Sequence, residues 1–365
     1  MPLKSGTFLI ALLFSCISLS NTLKILNWNE YIDPDVISQF ETENNVTIEY
    51  IEFNNNDEFS DQFFDSKNQF DVIFPSSVIV GILKENNLIK KLDRSKFTHY
   101  KNINQIVMSG LKFEDKNNEY TVPYMWGTTG IGYNIKSLKK VGINTDEISW
   151  SLIFDETQRK KAASCGIGLL NERDEIFSAA LSYLGYSINT KDKNQLKEAG
   201  ELIKVAYKDI KYLHTNQYTD DLRENNICVG VGYSGDILAE IEENEDINYV
   251  IPSQGAAMWI DVMAIPTNSP SPDLAYRFID FLMSPKAAAK NSDYAAYPTP
   301  MLDAQANVDP ENLADNTIYP DETTLAMLQM IAPTDKKGRR LKQRLWTKAI
   351  CVQGRWCSVP MRSIF

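Results

Sequence analysis

The chain has 365 residues, 43% hydrophobic and 23% charged, a globular composition long enough for two cores and unlike that of a disordered or fibrous chain. Its net charge of -11 disfavours nucleic acid and anionic membranes and favours a cationic ligand. With only His99 and His214, no CxxC, and no GxxxxGK[ST], GxSxG or HExxH, the usual markers of zinc sites, nucleotide hydrolysis, α/β-hydrolase chemistry and imidazole-assisted nucleophiles are missing, so neither a metal nor a cofactor is expected.

Residues 1–20 carry one charged side chain, Lys4, then a mostly apolar run from Phe8 to Ile17 and the small residues of Ser18-Leu19-Ser20. This is the pattern of a signal peptide, too short for a membrane span, and it predicts a soluble protein outside the cytoplasm. Lipid anchoring at Cys16 is the lesser alternative, because Phe14 fits a lipidation site poorly. Beyond the leader four cysteines remain, Cys165, Cys228, Cys351 and Cys357, an even number that permits two disulfides in an oxidising compartment.

Leu23 to Trp28 reads as a first strand. Asp33 then serves as N-cap and Pro34 as first residue of a helix to about Thr42, showing Val36, Ile37 and Phe40 to a core, before a strand from Val46 to Ile51. Phe70 to Phe74 is a short apolar strand stopped by Pro75-Ser76-Ser77, and Val78 to Glu85 is helical in pattern. Further strands are predicted at Thr129 to Asn134, Gly166 to Leu170, Ile227 to Val231, Asn248 to Ile251 and Ile260 to Pro266. Helices are predicted at Asp174 to Leu184, Gln195 to Tyr207, Gly235 to Glu243 and Pro272 to Met283. This alternation marks an α/β class, and without a linker between halves any two lobes must exchange the chain more than once. Lys336 to Arg362 holds nine basic residues and no acid. Such a run suits a nucleic-acid or lipid contact, or a terminal basic helix lying on an acidic body, which is the reading preferred.

Aromatic residues beside carboxylates recur at the predicted strand ends: Trp28-Asn29-Glu30-Tyr31, Tyr233-Ser234-Gly235-Asp236 and Trp259-Ile260-Asp261, whose alternation puts Trp259 and Asp261 on one face. Glu172 and Glu175 follow another strand without a ring beside them. Carboxylates pair with ammonium groups and flat rings suit the methylene chain between two amines, so the combination fits a diamine. Each piece also has a structural explanation: Glu172, Glu175 and Asp236 as acids at helix starts, Trp28 and Trp259 as core, Ser76 as a cap. Their convergence on strand ends, where α/β proteins bind ligands, favours a site. Paired carboxylates such as Glu172 and Glu175 also admit a secreted glycoside hydrolase, although neighbours three apart on one helix point together instead of flanking a bond.

Asn27-Trp28-Asn29-Glu30-Tyr31, Phe70 to Ser76, Pro123-Tyr124-Met125-Trp126-Gly127-Thr128-Thr129-Gly130-Ile131-Gly132-Tyr133-Asn134, Ser149-Trp150, Trp259-Ile260-Asp261 and Tyr297-Pro298-Thr299-Pro300 together resemble the periplasmic putrescine- and spermidine-binding proteins of bacterial ABC importers, from about Leu23 to Ala349. The resemblance implies a non-enzymatic, monomeric, two-lobed periplasmic binding fold of type II character, with a cleft and several hinge crossings, that delivers polyamine to membrane permease subunits; a sensor with the same fold is the alternative role. It implies a first lobe of residues 21–128 and 259–305, a second of 129–258 and 306–349, and an extension at 350–365. It assigns Trp28, Tyr233, Trp259 and Tyr297 to an aromatic box, Glu30, Glu175, Asp236 and Asp261 to the amines, and Asn29 and Ser76 to neutral hydrogen bonds, with Tyr31 and Glu172 beside them.

Ser164-Cys165-Gly166, Tyr212-Leu213-His214 and Ile227-Cys228-Val229 resemble the putrescine branch, which pairs its equivalent cysteines; a Cys165 to Cys228 disulfide is therefore implied. Glu172 stands where spermidine binders carry an aspartate, Tyr233 replaces the usual tryptophan and Val78 a ring, so the resemblance leaves putrescine and spermidine both open. Cys351 and Cys357 are available to pair with each other.

Overall fold

The computed structural model describes residues 22–65, 68–241 and 243–351. The expected signal peptide, Cys16 and Cys357 lie outside the described residues, as does nearly all of the expected extension at 350–365.

Strand β1 (Thr22–Trp28) has Leu23, Ile25 and Leu26 fully buried. The helix Pro34–Asn44 follows, started by Asp33, whose carboxylate accepts the Asp35 N–H at 2.7 Å, and stopped by Asn45 in the left-handed region at φ 50°. β2 (Thr47–Phe53) and the two-residue β3 (Val72–Ile73) lie parallel on either side of β1, giving the order β2-β1-β3. The helix Ser77–Glu85 begins after Ser76, which makes no side-chain capping bond, so capping does not account for that serine.

β4 (Val122–Asn134) is the spine of the molecule and is buried throughout its thirteen residues. Its expected start was Thr129; Pro123 and Gly127 make the first half look like a loop, yet a strand covered on both faces has room for them. The next strands are β5 (Ile167–Leu170), β6 (Tyr212–His214), β7 (Val229–Tyr233), β8 (Ile247–Val250), β9 (Ala256–Met263) and β10 (Leu328–Met330). The first half of β4 runs antiparallel to β9, and its second half antiparallel to β7 and β8. β5 sits between β6 and β7, parallel to both, and β10 lies along β9. Beyond β9, Ala264 exchanges two 3.0 Å backbone hydrogen bonds with Ile73, which joins the small sheet to the large one.

Strand alternation splits the first part of the chain between two faces. Leu23, Ile25, Val72 and Phe74 pack with Phe40, Phe278 and Tyr297 on one face; Leu26 and Ile73 pack with Phe53, Phe59, Trp126 and Ile260 on the other. A separate core gathers Ile131, Trp150, Ile167, Phe177, Tyr218, Val229 and Trp346. The chain thus has helices on both faces of its sheets and two bodies joined where β4 and β9 pass from one to the other. The disulfide between Cys165 and Cys228 is present inside the second body and closes a loop of 63 residues, a constraint worth about 4 kcal/mol on chain-entropy grounds.

The helix Lys336–Ile350 lies on the second body, with Trp346 and Ala349 buried. Lys342, 3% exposed, sets its Nζ 3.0 Å from Asp174 and Lys348 reaches Glu201 at 2.6 Å, as a basic helix on an acidic body requires.

Candidate ligand-binding cleft

The candidate residues collect where the two bodies meet. Asp261, on β9 and 6% exposed, accepts a 2.9 Å hydrogen bond from the Tyr31 hydroxyl, and the backbone of Ser76 bridges to it. Tyr31 is held in turn by Tyr124, whose hydroxyl donates to its carbonyl at 2.6 Å. Burial, with a smaller push from Asp236, raises the Asp261 carboxyl to about 8 against the pull of the Tyr31 bond.

Asp236 enters from the opposite body, in the first turn of the short helix after β7. Its two oxygens accept from Tyr218 at 2.9 Å and from Tyr297 at 2.7 Å, and its own N–H donates to the Tyr297 oxygen at 3.2 Å. Tyr297 packs in the first core and Tyr218 in the second, so Asp236 is bonded to both bodies. Burial raises its pKa, and the two tyrosine bonds oppose the shift.

Rings connect this end to the other. Tyr31 meets Tyr297 at 5.8 Å between centroids, Tyr297 meets Trp259 at 4.9 Å, and Trp259 meets Tyr233 at 5.7 Å, all edge to face. Gly127 and Gly235 make this possible: a Cβ on Gly127 would lie 2.4 Å from the Trp259 ring, and one on Gly235 2.4 Å from the Tyr297 ring. The indole N–H groups of Trp28 and Trp259 are buried without a partner.

Glu172 and Glu175 stand at the far end, at the start of the helix Arg173–Tyr183. Glu175 is 9% exposed and its Oε2 has no partner; burial first, then Glu172 and Asp174, push its pKa up to about 8. Thr129 Oγ1 lies close enough to favour the carboxylate but outside hydrogen-bonding geometry, and is itself unpartnered. Protein crowding, then Asp174 and Asp57, raise Glu172 to about 7. Water still reaches the Glu172 side chain, which makes it a softer cation site than Glu175. The adjacent cations are committed elsewhere, since Arg173 and Lys342 both bind Asp174.

Two predicted residues stay outside this network of contacts. Asn29 and Glu30 form an exposed turn after β1, with Glu30 in the left-handed region at φ 52° and its N–H directed to Glu52. Trp28 is half-buried against Phe53 at 4.6 Å. Tyr218, Tyr124 and the two glycines were not among the predicted site residues. Glycine inside the apolar stretch around Gly127 is the one sequence sign of a ring pressed against backbone.

The model of the family described as bacterial extracellular solute-binding protein matches residues 35–320. The chain belongs to this family. Among relatives of this solute-binding protein, the putrescine-binding periplasmic protein SpuD of Pseudomonas aeruginosa is 34% identical over 336 residues, 90% of this chain and 92% of the relative. The putrescine-binding periplasmic protein PotF of Escherichia coli is 32% identical over 341 residues, 90% of each chain. Among solved structures, the spermidine/putrescine ABC transporter substrate-binding protein PotD of Streptococcus pneumoniae superposes with a TM-score of 0.81 at 29% identity, covering 90% of this chain and 98% of that one. The two-domain α/β architecture expected from the sequence is therefore the fold of this solute-binding protein.

Proposed function

We propose that this solute-binding protein captures a short polyamine, putrescine or spermidine, in the cleft and hands it to the permease of an ABC transporter. The observation that carries the reading is the unbroken line of rings Tyr31, Tyr297, Trp259 and Tyr233 between one carboxylate pair, the buried Asp261 and half-buried Asp236, and another acid pair, Glu175 and Glu172. Ammonium groups take the acids, and the methylene chain lies on the rings. Putrescine uses one carboxylate at each end; a triamine adds a third charge, for which Glu172 is the spare acid. Trp28 closes the box, and Ser76, Asn29 and Glu30 complete the rim as the lobes close. Closure expels water and strengthens each ion pair.

The names of SpuD, PotF and the spermidine/putrescine-binding periplasmic protein of Escherichia coli support the same ligand class and a periplasmic location. Among the described residues no helix is long and apolar enough to cross a membrane. We place the lobe division where β4 and β9 cross, near Thr128 and Trp259, and read the protein as a monomer that offers both lobe surfaces to the permease.

Isothermal calorimetry on the purified protein tests the reading. Saturable heat is expected with putrescine or spermidine, and silence with putrescine, spermidine, spermine and cadaverine alike would reject it.

A further inference from the structure

The C-terminal helix carries more positive charge than its packing uses. Of the seven basic residues in Lys336–Ile350, Lys342 is buried on Asp174 and Lys348 meets Glu201. Lys336, Lys337, Arg339, Arg340 and Arg344 are exposed and form no ion pair among the described residues. Lys336 and Lys337 occupy the first turn, the end where the helix dipole opposes positive charge, and the N-cap Asp335 beside them accepts the Gly338 N–H. Lys337, Arg340 and Arg344 fall three and four residues apart, on the stripe opposite the buried Lys342, Trp346 and Ala349. Like charges at those spacings destabilise a helix, so the fold carries a cost that its own packing does not require.

The helix itself contains no acid. The chain as a whole is acidic, but charges in water are screened beyond about 10 Å, so whatever approaches this helix meets a positive face.

We propose that the exposed face of the helix Lys336–Ile350 docks the protein reversibly on an anionic phospholipid surface, with Lys337, Arg340 and Arg344 against headgroup phosphates. The exposed stripe has no apolar centre, which a stable protein–protein interface would need, whereas a diffuse layer of phosphates asks only for charge. An anionic surface also gathers cations, so the protein would wait where a polyamine is concentrated. The docking itself does not rest on the polyamine reading.

The test is flotation of the full chain with vesicles of phosphatidylcholine alone and vesicles half phosphatidylglycerol. The protein is expected to float with the anionic vesicles, to be released as salt rises, and to bind them at least about tenfold more weakly when Arg340→Gln and Arg344→Gln are combined. Both arginines are exposed, and an unaltered thermal unfolding curve shows that the double variant is folded. The apolar run near the N-terminus contributes equally to parent and variant, so the difference between them reports the helix. Equal flotation with both vesicle types, or a double variant that floats like the parent, overturns the proposal. So does the absence of flotation joined to salt-sensitive binding of the helix to a purified permease, which would make the partner an acidic protein.

Discussion

Asp261 shows how one buried side chain suits the proposed cation. It is buried on β9, and its side-chain hydrogen bond among the described residues comes from a neutral tyrosine, so nothing there offsets the cost of its ionised form until an ammonium arrives. Asp261→Asn keeps the size and removes the charge; polyamine affinity is expected to fall at least about tenfold in a calorimetric titration, because a buried ammonium loses its partner. An unchanged affinity would take Asp261 out of the site. Burial holds Glu175 and Asp261 protonated up to about 8, and a bound ammonium favours their ionised forms. Binding should therefore release protons, and affinity should rise as pH climbs from the ordinary carboxylate range through about 8. The ligand-free protein should show the opposite sign, since acids with raised folded pKa values stabilise it fully only below their unfolded values and lose that contribution as pH passes about 8. Titrations in buffers of different ionisation enthalpy measure the proton release; none at neutral pH would mean that both acids are already charged.

Among the elements, β4 and β9 matter most, because each contributes to both bodies and each presents part of the cleft. Gly127 on β4 gives the Trp259 ring its place, and Gly235, at the start of the helix after β7, does the same for Tyr297. Gly235→Ala puts a methyl group into the Tyr297 ring, so the ring must move, together with its bond to Asp236. The expected loss is about 1–3 kcal/mol of stability, as for other overpacked sites, along with weaker polyamine binding. Urea denaturation and a titration of the same variant check both, and a stable variant with full affinity would show that the ring is free to swing aside.

For the whole molecule, the cleft is built from both bodies, so a ligand that bridges them stabilises both at once. Polyamine at a hundredfold excess over Kd should add about 2.7 kcal/mol to the unfolding free energy by mass action. Thermal unfolding followed with and without polyamine should then show a single shifted transition. A shift confined to one of two transitions would place the ligand on one body alone.

The α/β class was legible in the sequence because strand and helix periods alternate locally: Asp33 and Pro34 mark one helix start, and Leu23 to Trp28 marks the first strand. The acids and rings at strand ends were legible for the same reason, since Trp259 and Asp261 share a face by simple alternation. What runs between distant segments was not. The extent of β4 depends on partners more than a hundred residues away, and its first half, with Pro123 and Gly127, reads as loop until β9 covers it. Tyr218 joins Asp236 only because β7 and the Gln217–Arg223 helix pack together. The pairing of Cys165 with Cys228 came from family resemblance, and the fold supplies the proximity behind it. By itself, then, the sequence determined which local segments form and which chemistry they carry. The tertiary structure alone decided which carboxylates lose their water and which rings meet, because burial and contact are properties of segments brought together from far apart along the chain.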